Sequence, residues 1–160
     1  MKPTLILGLG NPLQGDDGVG CRVIEALERQ TLPEEFEALD GGTPGVGLVN
    51  LLEGRQQVII IDAAEMGEPP GTVRQFPPEA LTLTGSSERF SLHRSGVADA
   101  LALAHALGMK LPRIVIFGVQ PLRVDWGENL SAAVQAAVPQ VVTAILQSED
   151  TIKAGADHGQ

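Results

Sequence analysis

The chain has 160 residues, 43% of them hydrophobic, which is enough for one full-sized core and leaves little room for a second domain. Its formal net charge of −9 excludes the basic footprint that nucleic acid or an anionic membrane surface requires, and leaves metals, basic peptides and neutral surfaces as partners. A single cysteine, Cys21, excludes an internal disulfide and a multi-thiolate metal site.

The predicted elements alternate between short β-rich runs and helical patterns. Residues 4–10 open with Thr4-Leu5-Ile6-Leu7, which reads as a buried first strand rather than a signal peptide, so a cytoplasmic location is expected. No apolar run approaches the roughly 18 residues that span a bilayer. The glycine-rich segment Gly8 to Gly20 follows, placed like a phosphate loop but carrying the adjacent carboxylates Asp16 and Asp17, which repel an anion and welcome a cation. A first helix is predicted over 18–30, a weaker strand over 36–39 ending in the loop Asp40-Gly41-Gly42-Thr43-Pro44-Gly45, and a short helix over 46–52. Val58-Ile59-Ile60-Ile61 within 57–62 is a continuous β-branched run, as expected of a strand covered on both faces, and Asp62 closes it. An edge strand over 72–76, a helix over 95–107, a buried strand over 113–118 and a last amphipathic helix from Leu130 to Ile145 complete the pattern, with residues 151–160 expected as a polar, disordered tail. The fold class is α/β: a single three-layer domain over 1–150, with a mostly parallel twisted sheet of about five strands and helices on both faces.

In such sheets ligands gather at the carboxyl ends of the strands. That rule selects Asp16 and Asp17 after the first strand, Asp40 after the second, Asp62 after the third, Gln120-Pro121 after the late strand, and His93, just before a predicted helix. One imidazole with two or three carboxylates suits a borderline divalent ion held openly better than a closed structural zinc. Each residue also has a plainer reading. Asp16 or Asp17 caps the first helix, Asp40 is a turn residue, His93 is a surface or capping histidine, and Cys21 packs in the core although the helix dipole there favours a thiolate. Asp62 resists a plain reading, because an uncompensated charge beside a core costs several kcal/mol.

The layout partly matches a phosphoacceptor receiver domain, but that scaffold ends its last strand with a lysine where this chain reads Phe117-Gly118-Val119-Gln120. Gly8-Leu9-Gly10-Asn11-Pro12 is similar to the opening of peptidyl-tRNA hydrolase, which then continues differently and binds a polyanion. Taken together, Gly-Leu-Gly-Asn, Gly15-Asp16-Asp17-Gly18-Val19-Gly20, Asp40-Gly41-Gly42-Thr43, Ile61-Asp62-Ala63, Ser91-Leu92-His93 and Phe117-Gly118-Val119-Gln120-Pro121 closely resemble the nickel–iron hydrogenase maturation endopeptidases, in order from residue 5 to about 146. Many members of that family have Glu where this chain has Asp17, a side chain one methylene longer.

The resemblance implies a cytoplasmic, monomeric endopeptidase that removes the C-terminal extension of a hydrogenase large-subunit precursor after nickel insertion. It makes Asp17, Asp62 and His93 the nickel-contacting residues and Asp40 a recognition or catalytic carboxylate. Nickel is then brought by the precursor and used for recognition, and another divalent ion is able to take its place in a crystal. No Ser–His–Asp or Cys–His grouping is readable, so an aspartic or metal-assisted water attack is expected, with Asp40 or Asp16 as base. The alternative is a metal-binding chaperone of hydrogenase assembly that docks on the precursor without cutting it.

Overall fold

A computed structural model describes residues 1–81, 90–92 and 96–158, with side chains through residue 147. Within these residues the chain builds β1 (Thr4–Leu9), α1 (Val19–Glu28), β2 (Phe36–Gly42), α2 (Leu48–Leu52), β3 (Gln57–Ala63), β4 (Val73–Phe76), α3 (Val97–Ala106), β5 (Arg113–Val119) and α4 (Ala132–His158). The strands form one sheet in the order β2-β1-β3-β5-β4, in which β4 alone runs antiparallel.

Alternation along the strands divides the core into two layers. Ile6, Ile59, Ile61, Phe117 and Val119 face α1 and α4, meeting Val23, Leu27, Val134 and Val141. Leu5, Leu7, Val58, Ile60 and Ile116 face α2 and α3, meeting Leu48, Leu52, Val97 and Ala100. Burial of each aliphatic side chain contributes about 1.5–3 kcal/mol. This packing, rather than intrinsic helicity, holds α2, since five residues are far too few for a helix to persist alone.

Two predicted boundaries move. β2 continues through Asp40 to Gly42, because its pairing with β1 overrides the turn preference of Asp-Gly-Gly; a register shift opposite Gly8 and Leu9 absorbs one residue. α4 continues through residue 158, so residues 151–158, expected as disordered tail, are helical; no Pro or Gly interrupts the sequence between Pro139 and Gly155. The other elements lie within two residues of their predicted ends, apart from Ser95, which falls outside the described residues.

The connections decide where a ligand goes. From β1 the chain moves outward through α1 to β2, and from β3 it moves the opposite way toward β4 and β5. The neighbouring strands β1 and β3 therefore bracket a topological switch point, and a crevice opens beyond their carboxyl ends. α1 sits close to this end of the sheet because glycine meets glycine: a Cβ on Gly8 would lie 2.5 Å from the Gly20 carbonyl oxygen, and one on Gly20 would lie 2.6 Å from that of Ile61.

Candidate functional site

Beyond β1 the chain bends at Gly10, whose φ of 116° is one that residues with a Cβ rarely adopt, and a Cβ there would also collide with the Asp17 carbonyl oxygen. The turn folds the loop back so that the Asn11 amide donates to Asp17 Oδ2 at 2.8 Å. Residues 15–18 form a 3-10 turn packed against β3. Asp17 is thereby delivered to the mouth of the switch point, only 1% exposed.

Asp62 arrives from the other side. It is the penultimate residue of β3, directly opposite Gly118 of β5, fully buried, and accepts a 2.8 Å bond from the Ala63 amide on Oδ1. Two buried carboxylates thus close the carboxyl ends of adjacent strands. Burial of charge at this cost is characteristic of a site that meets a cation or a proton.

His93 lies outside the described residues, but both flanks of its segment are anchored at this same end of the sheet. Ser91 forms a two-way backbone bridge with Glu65, at 2.8 and 3.0 Å, just past the end of β3. Gly96 packs against Gly45 in the turn after β2, where a Cβ on Gly96 would lie 2.8 Å from the Gly45 Cα. Among the described residues no three His, Cys, Asp or Glu side chains converge, and they include only two of the three proposed nickel contacts. The donor set of two carboxylates and an imidazole fits a borderline divalent ion.

Asp16, beside Asp17 in sequence, has a different task. Fully buried, it accepts from the amides of Leu122 (2.8 Å), Arg123 (3.2 Å) and Ser131 (2.7 Å) and from the Ser131 hydroxyl (2.8 Å). Backbone bonds from Gly15 to Gly127, from Gly127 to Leu13 and from Asp16 to Arg123 complete the seam. Asp16 is therefore a clamp joining the loop after β1 to the loop after β5. The helix-cap reading of Asp16 and Asp17 is corrected, since no side chain caps either the 3-10 turn or α1.

Asp40 sits one strand farther out. It is exposed, and its Oδ1 accepts from the Gly42 amide at 3.1 Å, so the local bond typical of an Asx turn persists inside a strand. By alternation with Phe36 and Ala38 it faces the α1 layer, whereas Asp62 shares the α2–α3 layer with Ile60 and Ala64. Its neighbour there is Cys21. Burial first, then the nearby Asp40 and Glu25 carboxylates, push that thiol up to about 12, outweighing any help from the helix dipole. Cys21 is a packing residue, as its 8% exposure also indicates.

Two residues with no role assigned from sequence prove important here. Gln120, 4% exposed, accepts from the Met66 amide at 2.7 Å and donates to Glu65 Oε1 at 2.9 Å, bracing the segment that follows Asp62. Ser131 supplies half of the bonds that Asp16 accepts; the sequence carried no signal for it, since the predicted last helix began at Leu130, and only the observed start of α4 at Ala132 leaves Ser131 ahead of the helix.

Residues 21–148 match the family described as hydrogenase maturation protease, HycI. The chain is 34% identical over 150 residues to the hydrogenase 2 maturation protease of Escherichia coli K12, covering 90% of this chain and 91% of that protein. It is 34% identical over 156 residues to the hydrogenase expression/formation protein HoxM of Cupriavidus necator, covering 96% of this chain and 72% of that protein. It is 32% identical over 145 residues to HupD of Thiocapsa roseopersicina, covering 89% of this chain and 66% of that protein, so it spans about two thirds of the length of that relative. The solved structure of the E. coli hydrogenase maturating endopeptidase HybD superposes with a TM-score of 0.78 at 31% identity, over 92% of this chain and 91% of that one. With the motifs of its switch point in place on the same fold, this chain belongs to the hydrogenase maturation protease family.

Proposed function

We propose that this protein is the endopeptidase that removes the C-terminal extension of a nickel–iron hydrogenase large-subunit precursor once nickel is in place. The observation that carries this reading is the pair of buried carboxylates, Asp17 and Asp62, at the switch point of a chain from this family. Nickel belongs to the substrate: it enters with the precursor, and Asp17, Asp62 and His93 recognise it. Their chemistry suits that task, because two anionic oxygens and one imidazole nitrogen match a borderline ion without the closed thiolate set of a structural site.

Peptide hydrolysis then needs a group to take a proton from the attacking water. Asp16 is poorly placed for it, with both oxygens engaged by the 122–131 loop. Asp40, exposed at the rim, is the carboxylate in this set that water reaches freely. We assign it to water activation or to contact with the substrate backbone.

The test compares precursor with and without nickel, incubated with wild type and His93→Ala, and reads the precursor C-terminus by mass spectrometry. Wild type is expected to shorten only the nickel-loaded form, and His93→Ala to leave it whole. Equal shortening of both forms by both enzymes overturns nickel recognition. An intact precursor that still binds the protein overturns the peptidase reading in favour of an assembly chaperone.

A further inference from the structure

The exposed large apolar side chains are unevenly placed. Leu13, Leu122 and Trp126 are 50%, 53% and 77% exposed, and all three lie on the two loops that Asp16 clamps together. Leu13 shares its loop with Asp17, and its carbonyl accepts from the Gly127 amide at 2.8 Å, next to Trp126. Beside them opens a cleft of about 450 Å³ lined by Gly15, Arg123, Asp125, Trp126, Glu128 and Ser131. A loop that merely connects β5 to α4 has no need of a fully buried carboxylate with four donors to hold it. A loop that must present an exposed tryptophan in a fixed position does, because ordering it beforehand lowers the entropy lost on binding.

We propose that Leu13, Leu122 and Trp126 form a docking ledge for the precursor polypeptide next to its scissile bond, and that Asp16 is the positioning residue that holds the ledge. The inference rests on the peptidase reading above. The occupant follows from continuity and charge. The ledge begins at Leu13 on the loop that carries Asp17 and is joined to the Trp126 loop by the Gly127-to-Leu13 bond, so it is continuous along the chain with the switch point where the polypeptide is cut. Asp125 and Glu128 outnumber Arg123 in the cleft of a chain with net charge −9, so the seated segment is an apolar stretch with neutral or basic neighbours. An exposed tryptophan beside a concave, partly polar cleft has the composition typical of interface hot spots.

Trp126 is the sole tryptophan, so fluorotryptophan incorporated into this chain gives one fluorine resonance that reports the ledge alone. On addition of nickel-loaded precursor that resonance is expected to move and to lose its solvent isotope shift. Trp126→Ala is expected to raise the precursor concentration for half-maximal cleavage about tenfold or more with turnover at saturation retained. Leu107→Ala, which removes a 63% exposed leucine at the end of α3 remote from the rim, is expected to change neither. If the precursor is cleaved while the resonance stays still and Trp126→Ala matches wild type, the ledge is overturned and the peptidase reading stands. If the resonance moves but the wild type never cleaves, the ledge stands and the peptidase reading falls; no movement and no cleavage overturn both.

Discussion

The two ends of the sheet handle charge in opposite ways. At the amino end, Arg55 donates from Nη1 to Glu37 Oε2 and to the Lys2 carbonyl, both at 2.7 Å, with the Glu37 side chain 39% exposed. Water shares in that pair, so its contribution is modest and screened by salt. At the carboxyl end, Asp16, Asp17 and Asp62 are at most 1% exposed. The contrast teaches that the amino end leaves its paired carboxylate open to water, although the Arg55 side chain is only 9% exposed, whereas the carboxyl end withdraws its carboxylates completely. Among the described residues the buried carboxylates lie at the end where the switch point opens; Asp16 there holds the loops, and we propose that Asp17 and Asp62 meet the ligand.

The sharpest way to break this division is Asp62→Asn, which keeps the shape of the side chain and removes its charge. It is expected to lower cleavage of nickel-loaded precursor by about 10³-fold or more, the scale of losing a group that acts directly on the substrate. Its urea midpoint should stay at or above that of wild type; a large loss of stability with activity intact would assign Asp62 to the structure instead. Asp16→Ala should show the reverse balance. Three amides and a hydroxyl lose the buried carboxylate that accepts from them, so unfolding free energy should fall by roughly 3 kcal/mol in urea titration. Gly20→Ala tests the close approach of α1 to the switch point. With a Cβ only 2.6 Å from the Ile61 carbonyl oxygen, strain of about 1–3 kcal/mol should appear in the same titration.

The smallest effect belongs to the amino end. Arg55 holds the Glu37 carboxyl below its usual range. A carboxylate with a folded pKa below its unfolded one stabilises the protein above the unfolded value, and that contribution disappears as pH falls through the folded value. Glu37→Gln should therefore cost under about 1 kcal/mol at neutral pH and flatten the acid limb of the stability curve. A salt titration at neutral pH should shrink the difference further.

Much of the fold was legible because its central strands are continuous apolar runs. Leu5-Ile6-Leu7, Val58-Ile59-Ile60-Ile61 and Ile114-Val115-Ile116-Phe117 admit few other readings in an alternating α/β pattern. β2 was legible only in part, since Asp40-Gly41-Gly42 carries turn chemistry and becomes strand only by pairing with β1. The last residues of α4 were misread because a polar composition does not by itself end a helix. In the site, Asp17 and Asp62 stood out as carboxylates abutting glycine turns and core strand. The clamp at Asp16 did not, because its partners lie 106 to 115 positions away and leave no local pattern.

The sequence by itself determined the layered α/β architecture and the rim where chemistry collects, because hydrophobic periodicity and strand-end position are local properties. Only the tertiary structure decided which of two adjacent aspartates clamps the loop after β5. Asp16 and Asp17 are chemically identical and differ in their donors: the β5–α4 loop reaches Asp16, whereas the Asn11 amide of its own loop reaches Asp17. It also decided that Asp40 and Asp62 lie on opposite faces of the sheet, since the pairing register sets which layer each side chain enters.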